Sequence, residues 1–406
     1  MEVNDVKIIA DGLNRYFSEV GANIIAELEN EQKNNSSCRN TKFSEVLCKN
    51  SIFTTPTDEF EINNILLNLK RNAAPGDDNI TVFDLLNLKD HILEVLVNLV
   101  NGVLVSGNFP NELKLVRICP IYKSGVKTQM NNYRPIALIS VFSKIVETVI
   151  KSRIISFLEK FVPLDPYQYG FLKNSSTLSA TTDFINHLSE YLDKGKVEIA
   201  LSIDLQKAFD VVSHNLLISK LERMGFRGAM LRLIKSYLLD RQQYVALGDS
   251  TSEIVKSNCG VPQGSVLGPL LYSLFVLNLR LVGLRAQYYT FADDTVLVYT
   301  GDSAEQLSSL ANDDLNRYYC WIMQNKLKIN LDKSKYMLFT QTNKIVSNIQ
   351  IKMEKVILDR IETIKYLGLV LHEKLNCQAH IEQIKNNTTY GCSKSMLIFC
   401  HRSCKV

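Results

Sequence analysis

The sequence predicts an α+β fold: an antiparallel sheet with acidic residues at its strand ends, backed by helices. Three observations lead there. Two β-rich runs, residues 287–291 and 295–300, flank Ala292-Asp-Asp, the signature of a tight hairpin. A separate apolar strand over residues 196–205 runs into Asp204. Long segments on either side repeat their apolar residues at helical spacing.

In chain order, residues 8–28 show helical spacing. Residues 56–69 form a second amphipathic segment, with Thr57 as its cap and Phe60, Ile62, Ile65, Leu66 and Leu69 on one face. Between them the Asn/Ser-rich residues 34–41 read as a linker. Ala74-Pro-Gly-Asp-Asp-Asn is a turn cluster ahead of one helical run over 82–105. Residues 115–122 have β character, Lys123-Ser-Gly starts a turn, and 140–158 return to helix. Beyond the strand at 196–205, a helix is expected over 216–239, and 243–247 should pair with 253–258. A helix over 303–325 follows the acidic hairpin. Short strands around 336–340, 349–358 and 365–371 come last.

A chain of 406 residues has room for two or three domains or one large multi-part core. Its 46% hydrophobic and 22% charged residues are those of a soluble globular protein, which excludes collagen-like and disordered classes. The net charge of +4 says less than its distribution. Residues 113–146 hold six basic side chains (Lys114, Arg117, Lys123, Lys127, Arg134, Lys144) and no acid. Such a stretch is either a solvated basic face or a surface for a phosphate-rich partner, whose condensed counterions it would release.

Nine cysteines without a framework spacing, and no basic-then-apolar start in residues 1–10, point to reduced thiols in the nucleus or cytoplasm, not to secretion. Cys392, Cys400 and Cys404 lie near His401, but their spacing fits no strong zinc pattern. Residues 259–279 carry no charge over a length that could cross a bilayer. Pro262, Gln263, Pro269 and three glycines would leave polar backbone unsatisfied in lipid, however. That stretch is read as a loop entering a buried helix, and no membrane span is expected.

Within a strand, neighbouring side chains point to opposite faces, but at a hairpin tip Asp293 and Asp294 can approach one point. An Asp-Asp pair alone is ordinary turn chemistry. Asp204 at the end of another strand changes its meaning, since three converging acids can hold two Mg²⁺ ions through oxygen ligands. Such a metal pair clamps the attacking and leaving oxygens of a phosphoryl displacement.

Several motifs then carry a family resemblance. Tyr289-Thr-Phe-Ala-Asp-Asp-Thr looks like the active-site hairpin of reverse transcriptases. Ser202-Ile-Asp-Leu-Gln-Lys-Ala-Phe-Asp-Val-Val-Ser-His resembles the preceding metal-binding strand in the non-LTR (LINE/jockey-like) retrotransposon branch. Gly260-Val-Pro-Gln-Gly-Ser-Val-Leu-Gly-Pro-Leu-Leu is similar to that branch's template and nucleotide loop. Asn132-Tyr-Arg-Pro-Ile-Ala-Leu-Ile-Ser with Lys144 resembles its fingers motif. Gln168-Tyr-Gly-Phe with Ser176-Thr, Asn325-Lys-Leu-Lys-Ile-Asn with Lys333, and Lys365-Tyr-Leu-Gly complete seven motifs in family order, over roughly residues 74–380.

The resemblance implies a right-hand polymerase fold with fingers and palm, the thumb partial or missing. It implies an RNA-directed DNA polymerase that adds deoxynucleotides to a primer 3′-hydroxyl. An RNA template, a DNA primer and deoxynucleoside triphosphates would be its partners. Asp204, Asp293 and Asp294 would ligate two Mg²⁺ ions, or Mn²⁺ in their place. Phe209, five residues past Asp204, would exclude a 2′-hydroxyl. Lys123 and Arg134 would hold the triphosphate, and Gln263 and Gly264 would contact the nucleotide or template. Lys333 would protonate pyrophosphate, and Tyr366, Leu367 and Gly368 would form the primer grip. Asp210 completes the family's Ala-Phe-Asp without a role that the residues reveal. No Gly-Lys-Ser/Thr follows the glycines of the 260 loop, so it is not a P-loop.

The expected organisation is an N-terminal helical or linker segment at 1–55 and a fingers extension at 56–103. The polymerase domain would run over 104–371, and an incomplete thumb would begin at 372–406. Gly125-Val126, Asn278-Leu279 and His372 stand where Gly-Asp, Asn-Asp and an acid are common in the family. The ends suggest a fragment of a longer element without its endonuclease, or a decayed copy. Two rival readings stay open: a truncated, inactive or domesticated nucleic-acid-binding remnant, and another palm polymerase such as a group II intron-type reverse transcriptase.

Overall fold

A computed structural model describes residues 5–34, 48–162, 165–170, 176–341, 349–376 and 378–387. The chain enters through helix α1 (Val6–Asn34) and continues to α2 (Glu59–Asn68), α3 (Val82–Asn87) and α4 (Lys89–Ser106). Strands β1 (Leu115–Tyr122) and β2 (Tyr133–Leu138) lead to α5 (Val141–Phe161) and α6 (Thr177–Asp193). Then come β3 (Val197–Ile203), α7 (His214–Arg223), α8 (Gly228–Leu238), β4 (Arg241–Leu247), β5 (Ser250–Thr251) and β6 (Val255–Ser257). Helix α9 (Gly268–Val276) precedes the hairpin β7 (Gln287–Phe291) and β8 (Asp294–Gly301), followed by α10 (Ala304–Gln324) and β9 (Lys335–Phe339). Short strands β10 (Lys352–Met353), β11 (Val356–Ile357), β12 (Asp359–Arg360), β13 (Thr363–Tyr366) and β14 (Leu369–His372) precede α11 (Gln378–Asn387).

The central sheet has the order β12-β9-β3-β8-β7. Its four long strands are antiparallel, with Ile203 opposite Thr295 and Phe291 opposite Asp294. Alternation divides its side chains between two cores. Ile199, Leu201, Leu297 and Tyr299 join the large core containing α5 and α7–α10. Ala200, Val296, Val298, Met337 and Phe339 join a second core with Phe184 and Leu188 of α6. Burial on both faces explains why β3 reads as an almost unbroken apolar run. A second sheet, β2-β1-β4-β5 with β6 beside β4, packs against Ala10, Leu13 and Phe17 of α1.

The mixture of helices with antiparallel strands is as expected, with two pairings the sequence did not reveal: β12 with β9 and β1 with β4 are parallel. Two long helical runs are each split. Residues 82–105 divide at Leu88 (φ −96°, ψ 2°), because a Thr81/Asp84 capping box starts a short α3 that ends there. Residues 216–239 divide after Arg223, where Gly225 takes φ +99° and turns the chain into α8. Ser140 caps α5 through the Phe142 N–H. Residues 259–279 do enter a buried helix, α9, and no described helix is long and apolar enough to cross a membrane. Cys48, Cys119 and Cys259 are free thiols, whereas Cys320 is disulfide-bonded, a departure from the all-reduced expectation. The expected linker at 34–41, apart from Asn34 at the end of α1, and the Cys392, His401, Cys400 and Cys404 group lie outside the described residues.

Candidate active site

Asp204 is the first residue past β3, and two hydrogen bonds of its backbone fix it. Its N–H donates to Ser334 Oγ (3.1 Å), and its carbonyl accepts from the Asn330 N–H (2.8 Å). Ser334, itself 0% exposed, donates to the Asn330 carbonyl (2.9 Å), so the segment after α10 locks the strand end. Asp293 and Asp294 occupy the β7–β8 turn, where Ala292 takes φ +57°.

The three carboxylates feel one another. Burial first, then repulsion from Asp204, raises the Asp293 carboxyl. Asp294 keeps an exposed face, yet crowding by protein, then Asp293 and Asp204, pushes it up to about 6. Arg134 and Lys123 act in the opposite direction on both. Among the described residues, no group of three or more His, Cys, Asp or Glu side chains is drawn close enough to enclose a metal ion by itself. The acids therefore act on one another without closing into a cage.

Lys123 and Arg134 are exposed on the β1–β2 side, where β2 carries Arg134 opposite Ile121. Lys333 is exposed beside the Asn330–Ser334 turn, and its charge reaches Lys207, as do those of Lys123 and Arg134. Half-buried Lys207 is thus a fourth cation of this cleft, one that spacing did not single out.

Phe209 is half-buried and stacks on Tyr272 (centroids 4.7 Å apart, planes 25°). Tyr272 is 0% exposed; burial, then Asp293 and Asp294, raises its hydroxyl pKa, which places that hydroxyl beneath the acid turn. Tyr366 is buried edge-on against Phe184 (5.4 Å, 74°), and Asp294 is among the charges raising its hydroxyl after burial itself. Leu367 (φ 48°) and Gly368 (φ 92°) form the two-residue turn between β13 and β14, the geometry favoured in tight hairpins.

Gln263 and Gly264 lie in the loop before α9. The Gln263 carbonyl accepts from the Ala137 N–H of β2 (2.7 Å), and its Nε2 donates to Asp210 Oδ1 (2.9 Å). Gly264 takes φ +117°, and a Cβ there would lie 2.6 Å from the Ala137 carbonyl oxygen, so only glycine fits. From the other side, buried Glu147 of α5 accepts from the Val266 N–H (2.8 Å) and the Leu267 N–H (2.9 Å). Sequence reasoning missed both acids beneath this loop. For Asp210 the one available signal was its place in Ala-Phe-Asp.

A family model described as "Reverse transcriptase (RNA-dependent DNA polymerase)" matches residues 121–371. The chain is 32% identical over 344 residues to "Probable RNA-directed DNA polymerase from transposon BS" of Drosophila melanogaster, covering 83% of this chain and 37% of that protein. It is 28% identical over 333 residues to "RNA-directed DNA polymerase from mobile element jockey" of the same organism (80% and 36% covered). A third relative, "Retrovirus-related Pol polyprotein from type-1 retrotransposable element R2" of Popillia japonica, is 26% identical over 315 residues (73% and 42% covered). The matched part spans well under half the length of each of these relatives.

Proposed function

The chain belongs to the reverse transcriptase family, and from that premise we propose that it is the RNA-directed DNA polymerase part of a non-LTR retrotransposon. Its substrates would be an RNA template, a DNA primer and deoxynucleoside triphosphates. The observation that carries this reading is the set of mutually repelling acids, Asp204, Asp293 and Asp294, facing the cations Lys123 and Arg134. Residues 104–371 would form the polymerase domain with fingers and palm. Residues 1–55 and 56–103 would be its helical approach and fingers extension, and 372–406 the beginning of a thumb. A nuclear or cytoplasmic location follows from the same reading.

The donor set fits a hard divalent cation. All three groups offer carboxylate oxygens, and two of them are costly to ionise together, a cost that a cation relieves. Asp204, Asp293 and Asp294 would hold two Mg²⁺ or Mn²⁺ ions, which when bound supply charge stabilisation at the attacking and leaving oxygens. The protein's own groups do the rest. Arg134, with its planar fork, and Lys123 orient the triphosphate. Phe209, its ring plane set by Tyr272, closes the space a 2′-hydroxyl would occupy. Gln263 and Gly264 touch nucleotide or template, and the Tyr366-Leu367-Gly368 turn steadies the primer end. Lys333 donates a proton to departing pyrophosphate. Positioning and electrostatics are what phosphoryl transfer mainly requires.

Primer extension on poly(rA)–oligo(dT) with Mg²⁺ tests the proposal. The parent chain is expected to extend, and Asp293→Asn to lose about a thousandfold or more in rate. A parent that adds no nucleotide overturns the proposed activity.

A further inference from the structure

Among the ionisable groups that the chemistry above does not use, half-buried Asp210 is held in the most telling way. We propose that Asp210 is a positioning residue for the incoming nucleotide, acting through Gln263. It grips the amide nitrogen of Gln263 and leaves Oε1 as the end free for the substrate. The inference rests on the polymerase reading and deepens it.

Nε2 of Gln263 donates to Asp210 Oδ1 at 2.9 Å. An ionised carboxylate can only accept, so it dictates which end of the amide faces it. A protonated or amide side chain imposes no such polarity. The loop's other ties act on backbone: the Val261 N–H on the Phe209 carbonyl (2.9 Å), the Gly260 N–H on Val212 (2.9 Å), and His214 Nε2 on the Gly260 carbonyl (2.8 Å). Among the described residues, Asp210 is therefore the side chain that fixes the Gln263 amide.

Asp210 is in turn fixed from behind. A Cβ on Gly21 of α1 would lie 2.0 Å from the Asp210 carbonyl oxygen, so the helix backbone packs directly on it. Asp210 and Gln263 also line a cavity of about 60 Å³ with Gly21, His214, Arg241 and Cys259. The second Asp210 oxygen has no protein partner, and this cavity has room for a few waters to reach it.

The charged and titratable groups facing Asp210 come from six elements. They are Tyr16 of α1, Arg134 of β2, and Lys207 of its own loop, whose Nζ lies 5.5 Å from the Tyr16 ring centre. Cys259 faces it from the Gly260 loop, with His214 of α7 and Arg241 of β4 across the cavity. Against Lys207, Gln263 and Arg134, burial prevails and pushes the carboxyl up to about 6. The grip on Gln263 therefore holds above that pH and loosens as pH falls through it.

The experiment measures nucleotide KM and kcat in primer extension between about pH 5.5 and 7.5, for the parent, Asp210→Asn, Asp210→Leu, Gln263→Ala and Asp210→Asn/Gln263→Ala. The parent's KM should rise as pH falls through about 6. Asp210→Asn should raise KM several-fold at neutral pH and weaken that dependence relative to the parent. Asp210→Leu should raise it about tenfold, and Asp210→Asn should add nothing on top of Gln263→Ala. Titration of Asp293 and Asp294 is common to all the variants and cancels in the comparison. An Asp210→Asn protein with the parent's KM and pH profile, or an effect additive with Gln263→Ala, overturns the inference. If the parent does not extend at all, the polymerase reading fails, and the side-chain amide signal of labelled Gln263 decides the coupling alone. A shift with a midpoint near 6, absent in Asp210→Asn, upholds it; an amide indifferent to pH overturns it.

Discussion

Truncating Glu147 probes the support beneath the loop before α9 from the side opposite Asp210. Glu147 is 0% exposed and accepts three bonds: Val266 N–H (2.8 Å) and Leu267 N–H (2.9 Å) on one oxygen, Ser143 Oγ (3.0 Å) on the other. Leu267 caps α9 without a side-chain bond of its own, so α5 supplies the cap from a distance. Burial pushes the carboxyl above its ordinary 4.5, against the pull of Arg241 and the three bonds. Both protonation forms suit the site, because a protonated oxygen can donate to Ser143 while the other keeps both N–H groups. Glutamine has the same shape and the same options. Glu147→Ala leaves two buried N–H groups without an acceptor and should cost about 3–5 kcal/mol, whereas Glu147→Gln should cost about 1 kcal/mol. A carboxyl raised by folding binds more protons in the folded chain. Its contribution to stability therefore falls as pH rises from 4.5 through the folded value, and is flat above it. The penalty of the glutamine variant should accordingly be larger at low pH than at neutral pH. Urea unfolding followed by Trp321, the sole tryptophan and 2% exposed, reads all of this. A glutamine variant as damaged as the alanine one would show that charge, not bond count, holds the loop, and an alanine cost below about 1 kcal/mol would refute the network altogether.

Three further outcomes are expected. Phe209→Val should raise ribonucleotide incorporation about tenfold or more relative to deoxynucleotide, checked by competing the two in primer extension; an unchanged ratio denies Phe209 the gate. Gly21→Ala places a Cβ 2.0 Å from the Asp210 carbonyl, so it should cost about 1–3 kcal/mol and raise nucleotide KM in the same direction as Asp210→Asn. Lys220, whose amine donates to the Phe275 carbonyl, Asn278 Oδ1 and Asn325 Oδ1, ties α7 to the end of α9 and the end of α10. Lys220→Met takes this donor from the Phe275 carbonyl and Asn325 Oδ1, while Asn278 Oδ1 keeps the Trp321 indole N–H (3.2 Å); it should lower stability by roughly 1–3 kcal/mol in the same urea assay, while a neutral result would mean that water replaces the amine freely.

The parts of this fold written in the sequence are those set within a few residues of one another. The β7–β8 hairpin was legible because Ala292-Asp293-Asp294 interrupts two β-rich runs, and α5 because a helical apolar repeat runs through residues 140–158. The helix breaks at Leu88 and Gly225 were missed because apolar spacing continues across both, and one backbone angle at each decides the matter. The parallel pairing of β1 with β4 joins Leu115 to Gln242 and that of β12 with β9 joins Asp359 to Lys335, and no local pattern specifies which edge a strand will find.

The candidate site divides along the same line. Asp204, Asp293 and Asp294 could be picked out because each belongs to a compact motif whose chemistry is visible in its own residue types, and Lys123 and Arg134 because they lie in an acid-free stretch. What holds those motifs in place could not. The Asp210–Gln263 bond spans 53 positions and the Glu147–Leu267 bond 120, so either acid, read alone, is just a charge beside apolar neighbours. Burying such a charge is costly unless it is paired, which gives the physical reason these carboxylates matter: each is retained in the interior where it meets a loop that carries no charge of its own. Residues 259–279 have none, so the carboxylates that accept hydrogen bonds from this loop come from the turn after β3 and from α5. On the proposed reading, that separation lets residues that need not touch the nucleotide adjust this loop, and it is why Gly21 on α1, remote from the acids in sequence, is expected to change nucleotide KM.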